Sequence, residues 1–73
     1  MTVDDVIDIY RRVLETRTIG PDADFFAYGG DSLLATRVLS AIARETGAEL
    51  SFDDFLLAPT PEALAQRLAA VLT

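Results

Sequence analysis

The chain has 73 residues, 51% of them hydrophobic and 25% charged, and six arginines stand against twelve acids for a net charge of −6. A length this short encloses one small core, burying about 60% of the unfolded surface and leaving little interior for a deep substrate pocket; the surplus of acid argues against a nucleic-acid partner. Cysteine, histidine and lysine are absent, which removes disulfides, thiolate nucleophiles, imidazole bases, soft zinc sites and Schiff-base amines.

The first predicted helix carries Val3, Val6, Ile7, Tyr10, Val13 and Leu14 at three- and four-residue intervals, the spacing of one buried stripe. Asp4, Asp5, Asp8, Arg11, Arg12 and Glu15 take the other face, Thr2 is placed to cap, and Asp8 is spaced to pair with Arg11 or Arg12. This helix reads as scaffold, closed off by Gly20-Pro21. Residues 16–31 form a long connection broken by Gly20, Pro21, Gly29 and Gly30. Structureless connections above about 12–15 residues are uncommon in a compact domain, so Ile19, Phe25, Phe26 and Tyr28 are expected to anchor it across the bundle as core residues.

The second helix is predicted from Ser32 to about Thr46, stopped by Gly47. Ala35, Val38, Leu39, Ile42 and Thr46 make its buried stripe, while Leu33, Arg37, Ser40 and Arg44 face away and Leu34 lies on the flank. Two leucines at the solvent-facing start of a helix fit either local packing or a partner-binding patch. A short third helix follows Ser51, capped with Asp54, with Phe52, Phe55 and Leu56 expected inward. The last helix opens with Thr60 as cap, Pro61 at its first position and Glu62 in the first turn; Leu64, Leu68, Val71 and Leu72 form its stripe. The fold expected is all-α: a small four-helix bundle, three helices longer and the third short, with a long first loop, as a single domain over residues 1–73.

One string is unusual: Gly29-Gly30-Asp31-Ser32-Leu33-Leu34, a glycine turn delivering a serine to a helix N-terminus. Asp and Ser both favour caps, so its plainest reading is a capped turn, with a loss of about 1 kcal/mol expected for Ser32→Ala. A catalytic serine needs a base oriented by a third group, and the chain has neither histidine nor lysine. The turn does offer a hydroxyl beside free backbone N–H groups at a positive dipole end, which suits an attached phosphate. An exposed, unactivated serine of this kind is a substrate for modification rather than a catalyst. Asp22, Asp24 and Asp31 do not follow the calcium-loop pattern. Asp53-Asp54 reads as helix-start charge, and Gly29-Gly30 lacks the lysine and third glycine of a nucleotide-binding loop.

The stretch Phe25-Phe26-Ala27-Tyr28-Gly29-Gly30-Asp31-Ser32-Leu33-Leu34-Ala35-Thr36-Arg37 closely resembles the core motif of peptidyl carrier (thiolation) domains of nonribosomal peptide synthetases. Residues 38–45, 50–55 and Thr60-Pro61-Glu62-Ala63-Leu64-Ala65 extend the resemblance over essentially the whole chain. The resemblance implies a carrier and not an enzyme, with 4′-phosphopantetheine from coenzyme A attached covalently at Ser32. It implies a separate phosphopantetheinyl transferase, an adenylation enzyme, and condensation, tailoring or thioesterase enzymes as partners, in pathways such as antibiotic biosynthesis. Carried over by position, Asp31 and Leu33 flank the modified serine, and Leu34, Arg37, Ser40 and Arg44 form the surface that partners read; Phe55 is core rather than contact.

Residues 32–46 hold Arg37, Arg44 and Glu45, one net positive charge within a chain of −6. Fatty-acid carriers typically have an acidic second helix, so this balance favours the peptidyl branch and predicts apolar rather than salt-sensitive docking. Asp31 stands where many peptidyl carriers have histidine; the aspartate also occurs in carriers of epimerising modules, in aryl carriers and in polyketide acyl carriers. An acyl or aryl carrier of a polyketide or siderophore-type pathway is the alternative, ahead of a plain helical interaction domain or a small hydrolase. No run approaches the roughly 20 apolar residues that cross a bilayer, and MTVDDVIDIY has acids where a secretory leader has bases. A monomeric, cytoplasmic protein, freestanding or an excised domain, is expected.

Overall fold

Four helices account for the regular structure of residues 1–72, the part of the chain described by a computed structural model. The first, α1 (Val3–Leu14), starts at a reciprocal cap: the Asp5 N–H donates to Thr2 Oγ1, and the Thr2 N–H donates to the Asp5 carboxylate at 2.8 Å. Those bonds from Thr2 hold the Asp5 carboxyl below the usual range. The helix stops well before Gly20-Pro21, because Glu15 turns left-handed at φ 53° and its N–H closes on the Arg11 carbonyl. The second, α2 (Ser32–Thr46), ends as expected at Gly47, φ 78°, whose N–H donates to Ala43. Ser51 and Asp54 cap α3 (Phe52–Leu57) reciprocally, and Thr60 Oγ1 accepts the Ala63 N–H at 3.1 Å at the start of α4 (Pro61–Leu72).

Helix α1 packs against both α4 and α2, and α2 packs against α3. Serving two neighbours widens the buried face of α1 beyond one stripe, so Ile9 is buried along with Val6, Ile7 and Tyr10. At the centre Phe25 meets Tyr10 edge-to-face at 5.1 Å and Phe55 at 5.0 Å, the geometry that aromatic quadrupoles favour. Phe25 comes from residues 15–31, which form turns and no helix. Ile19, Ala23 and Phe25 bury this connection, whereas Tyr28, expected in the core, is half-exposed.

Two hydrogen-bonded ties fix the connection. The Pro59 carbonyl accepts the Tyr10 hydroxyl at 2.7 Å and the Phe25 N–H at 3.2 Å, and the Pro21 carbonyl accepts the Glu62 N–H at 3.0 Å. The second tie satisfies one of the free N–H groups that open α4. The long loop is thereby strapped to the α3–α4 junction, and its far end, the glycine turn before α2, inherits that position.

Two other expectations are corrected by the packing. Phe52 and Leu56 do not point inward; they are exposed, as is Leu57 at 74%. Phe55 faces the core and Asp54 faces α4, where its Oδ1 accepts two N–H donors of Arg67 at 2.6 and 3.1 Å. At about 100° per residue, Leu56 and Leu57 turn about 100° and 160° from Phe55, whereas Phe52 lies within about 60° of it at the exposed first position of the helix. In α4 the buried residues are Pro61, Leu64, Ala65 and Leu68, while Val71 and Leu72 are half-exposed because the final turn passes beyond the core.

Candidate functional site

The glycine turn is shaped by the ring beneath it. A Cβ on Gly30 would lie 2.3 Å from the Phe25 ring and 2.7 Å from the Phe25 carbonyl, to which the Gly30 N–H donates at 3.0 Å. Gly29 adopts φ 92°, a conformation L-residues rarely take. A buried aromatic and two glycines thus set where α2 begins.

Asp31, and not Ser32, caps that helix: its Oδ1 accepts the Leu34 N–H at 2.9 Å and its carbonyl accepts the Ala35 N–H at 2.8 Å. Ser32 is the first helical residue and exposed, and its Oγ makes no hydrogen bond among the described residues. The expected cap loss therefore moves from Ser32 to Asp31. Of the four N–H groups that an α-helix leaves open, those of Ser32 and Leu33 stay unbonded within the described residues. They sit beside the free hydroxyl at the positive end of the helix dipole, an arrangement that accommodates a phosphodiester. With no histidine or lysine in the chain to activate it, the hydroxyl is accessible but inert alone.

Around this serine the predicted surface residues divide. Leu33 is 65% exposed, and Arg37, Ser40 and Arg44 are exposed along the same row of α2, whereas Leu34 is partly buried and packs against the core. The row forms one wall of a groove of about 400 Å³ between α1 and α2, completed by Ile9, Arg12 and Val13 from a helix whose pattern reads only as scaffold. Arg12 stands 3.9 Å from Glu45. Three arginines against one acid make this face more cationic than the second helix alone suggests. A second exposed apolar patch, Phe52, Leu56 and Leu57, lies on α3. Among the described residues no cluster of acids offers a metal site.

The profile of the phosphopantetheine attachment site family matches residues 4–68. The chain belongs to that family. It is a carrier rather than an enzyme, and its prosthetic group is 4′-phosphopantetheine. The carrier is 40% identical over 65 residues to surfactin synthase subunit 1 of Bacillus subtilis (strain 168), which covers 89% of this chain and 2% of that protein. It is 41% identical over 63 residues to pyochelin synthetase PchE of Pseudomonas aeruginosa (strain UCBPP-PA14), covering 86% of this chain and 4% of the relative. The chain thus spans only a few per cent of these relatives' length. Among solved structures, the complex of the phosphopantetheine transferase Sfp with coenzyme A and a peptidyl carrier protein aligns with a TM-score of 0.91 at 34% identity, covering 96% of this chain and 91% of that one. A free-standing peptidyl carrier protein from Acinetobacter baumannii aligns with a TM-score of 0.89 at 29% identity, over 97% of this chain and 91% of that one. These matches agree with the all-α bundle described above.

Proposed function

We propose that Ser32 Oγ receives the 4′-phosphopantetheine arm of coenzyme A from a separate phosphopantetheinyl transferase. The chain then carries an aminoacyl or peptidyl group between an adenylation enzyme and the condensation, tailoring or thioesterase enzymes of nonribosomal peptide assembly. When attached, the arm supplies the thiol on which that group is held as a thioester. The observation that carries this reading is the exposed Ser32 hydroxyl, unpartnered beside two open N–H groups. Asp31 fixes the helix start by capping it, and Leu33 projects beside the serine as an apolar contact for the transferase. The contiguous core supports a single carrier domain, which we read as spanning residues 1–73 and acting as a monomer in the cytoplasm. Asp31, where many peptidyl carriers have histidine, favours an acyl or aryl carrier as the second reading.

Intact mass after incubation with a promiscuous transferase, magnesium and coenzyme A tests the attachment. A gain of one phosphopantetheinyl group, lost in Ser32→Ala, is the expected outcome. No gain with an active transferase and a folded chain overturns it, and a gain that survives in Ser32→Ala places the arm on another residue.

A further inference from the structure

Of the six arginines, Arg11 pairs with Asp8, Arg12 with Glu45 and Arg67 with Asp54. Arg37 and Arg44 have no acid partner among the described residues, and both line the groove between α1 and α2. Its walls otherwise present Ile9, Val13, Leu33 and Ala41, the hydroxyls of Thr36 and Ser40, and the paired Arg12. The groove therefore mixes apolar and hydroxyl walls with two arginines, Arg37 and Arg44, that no acid among the described residues neutralises, Arg12 being paired with Glu45. Its volume of about 400 Å³ lies within the range of small-ligand sites.

The groove also begins where an arm on Ser32 begins. Leu33, Arg37, Ser40 and Arg44 follow one another at intervals of four, three and four, a single row on α2. The rise from Leu33 to Arg44 is about 16 Å. A pantetheine chain has about as many backbone bonds as five extended residues, roughly 17 Å, so a group on its thiol has Arg37 and Arg44 within reach. Tethering by a short flexible linker holds such a group at millimolar effective concentration, where contacts too weak to capture a free ligand become populated. Guanidinium forks match a carboxylate with two parallel hydrogen bonds; a methyl-ended group gains nothing from them.

We propose that the α1–α2 groove is a resting site for a carried acyl group that ends in a carboxylate, held by Arg37 and Arg44 while tethered at Ser32. This rests on the reading of Ser32 as the attachment point. The site selects the class of cargo, acyl groups with a free carboxylate, and shields the loaded end between encounters.

The test compares two loads that differ only at their free end. The ¹⁵N-labelled apo chain is loaded by a promiscuous phosphopantetheinyl transferase and magnesium from succinyl-coenzyme A or butyryl-coenzyme A, which differ by a carboxylate in place of a methyl, and intact mass confirms equal loading. Failure to load counts against Ser32 and is thus distinguishable from failure of the groove. The expected result is a succinyl-specific change in the amide shifts of Val13, Thr36, Ser40 and Ala41, several-fold larger than on the exposed face of α4. It is lost in Arg37→Gln/Arg44→Gln, whose helical circular dichroism stays unchanged. Equal shifts for the two loads, or succinyl shifts that survive in the double variant, overturn the proposal and leave the arginines to an acidic partner protein.

Discussion

Replacing Tyr10 by phenylalanine removes one oxygen and leaves the ring against Phe25 and Phe55. The lost bond is the 2.7 Å donation to the Pro59 carbonyl, which keeps the Phe25 N–H at 3.2 Å. No acceptor is orphaned, so the cost is that of one net hydrogen bond, about 1 kcal/mol, and not that of a stranded polar group. For a domain of this size that lowers Tm by about 4–8 °C. The pH dependence sharpens the argument. Burial, with the charge of Asp24 nearby, pushes the Tyr10 phenol well above its ordinary value. Above about pH 10 the unfolded phenol releases its proton while the folded one keeps it, so the wild type loses stability as pH rises. One unit above that point the loss is about 1.4 kcal/mol, enough to cancel the advantage of the hydroxyl. Urea unfolding of both proteins at pH 7, 9 and 11 should show a deficit for Tyr10→Phe at pH 7 that closes by pH 11. A deficit that stays constant across the series would mean the folded phenol ionises as readily as the unfolded one, and the account of its burial would fail.

Three further outcomes follow from the caps, the turn and the α3–α4 ion pair. Asp31→Ala should cost about 1 kcal/mol by thermal unfolding, whereas Ser32→Ala should stay within about 0.5 kcal/mol; equal losses would show that the serine shares the cap. Gly30→Ala sets a methyl against Phe25 and its carbonyl, so a loss of about 1–3 kcal/mol is expected, and an unchanged urea midpoint would refute the close approach. The Arg67 side chain and the Ser51 backbone and hydroxyl pull the Asp54 carboxyl down to about 2, so its contribution is present above about pH 4 and fades as pH falls toward 2. Asp54→Asn should flatten the acid limb of a stability–pH curve in that window, and an unchanged limb would count against the pairing.

What was legible in the sequence was mostly local. Thr2, Ser51 with Asp54, Thr60 with Pro61, and Gly47 each announce a helix end through chemistry within three or four residues, and the helices begin and end there. Ser32 was legible as the candidate for attachment because every catalytic alternative lacked a base. Long-range matters were not. The need for glycine at position 30 comes from a ring folded back beneath it, and Ile9 and Arg12 matter because α1 has two neighbours. The direction of the short α3 is set by Arg67, thirteen residues on. A six-residue helix has too few turns for periodicity to say which side faces in.

The burial of one tyrosine and the exposure of the other have an optical consequence. The chain has no tryptophan and only two tyrosines, so its near-ultraviolet emission comes from Tyr10 at the centre of the bundle and Tyr28 at the rim of the strapped loop. Acrylamide collides with Tyr28 and not with Tyr10 until the core opens. Residual unquenched emission therefore follows folding, and loss of quenching at Tyr28 follows anything that covers the turn leading into Ser32. Both are read from the native chain without a label.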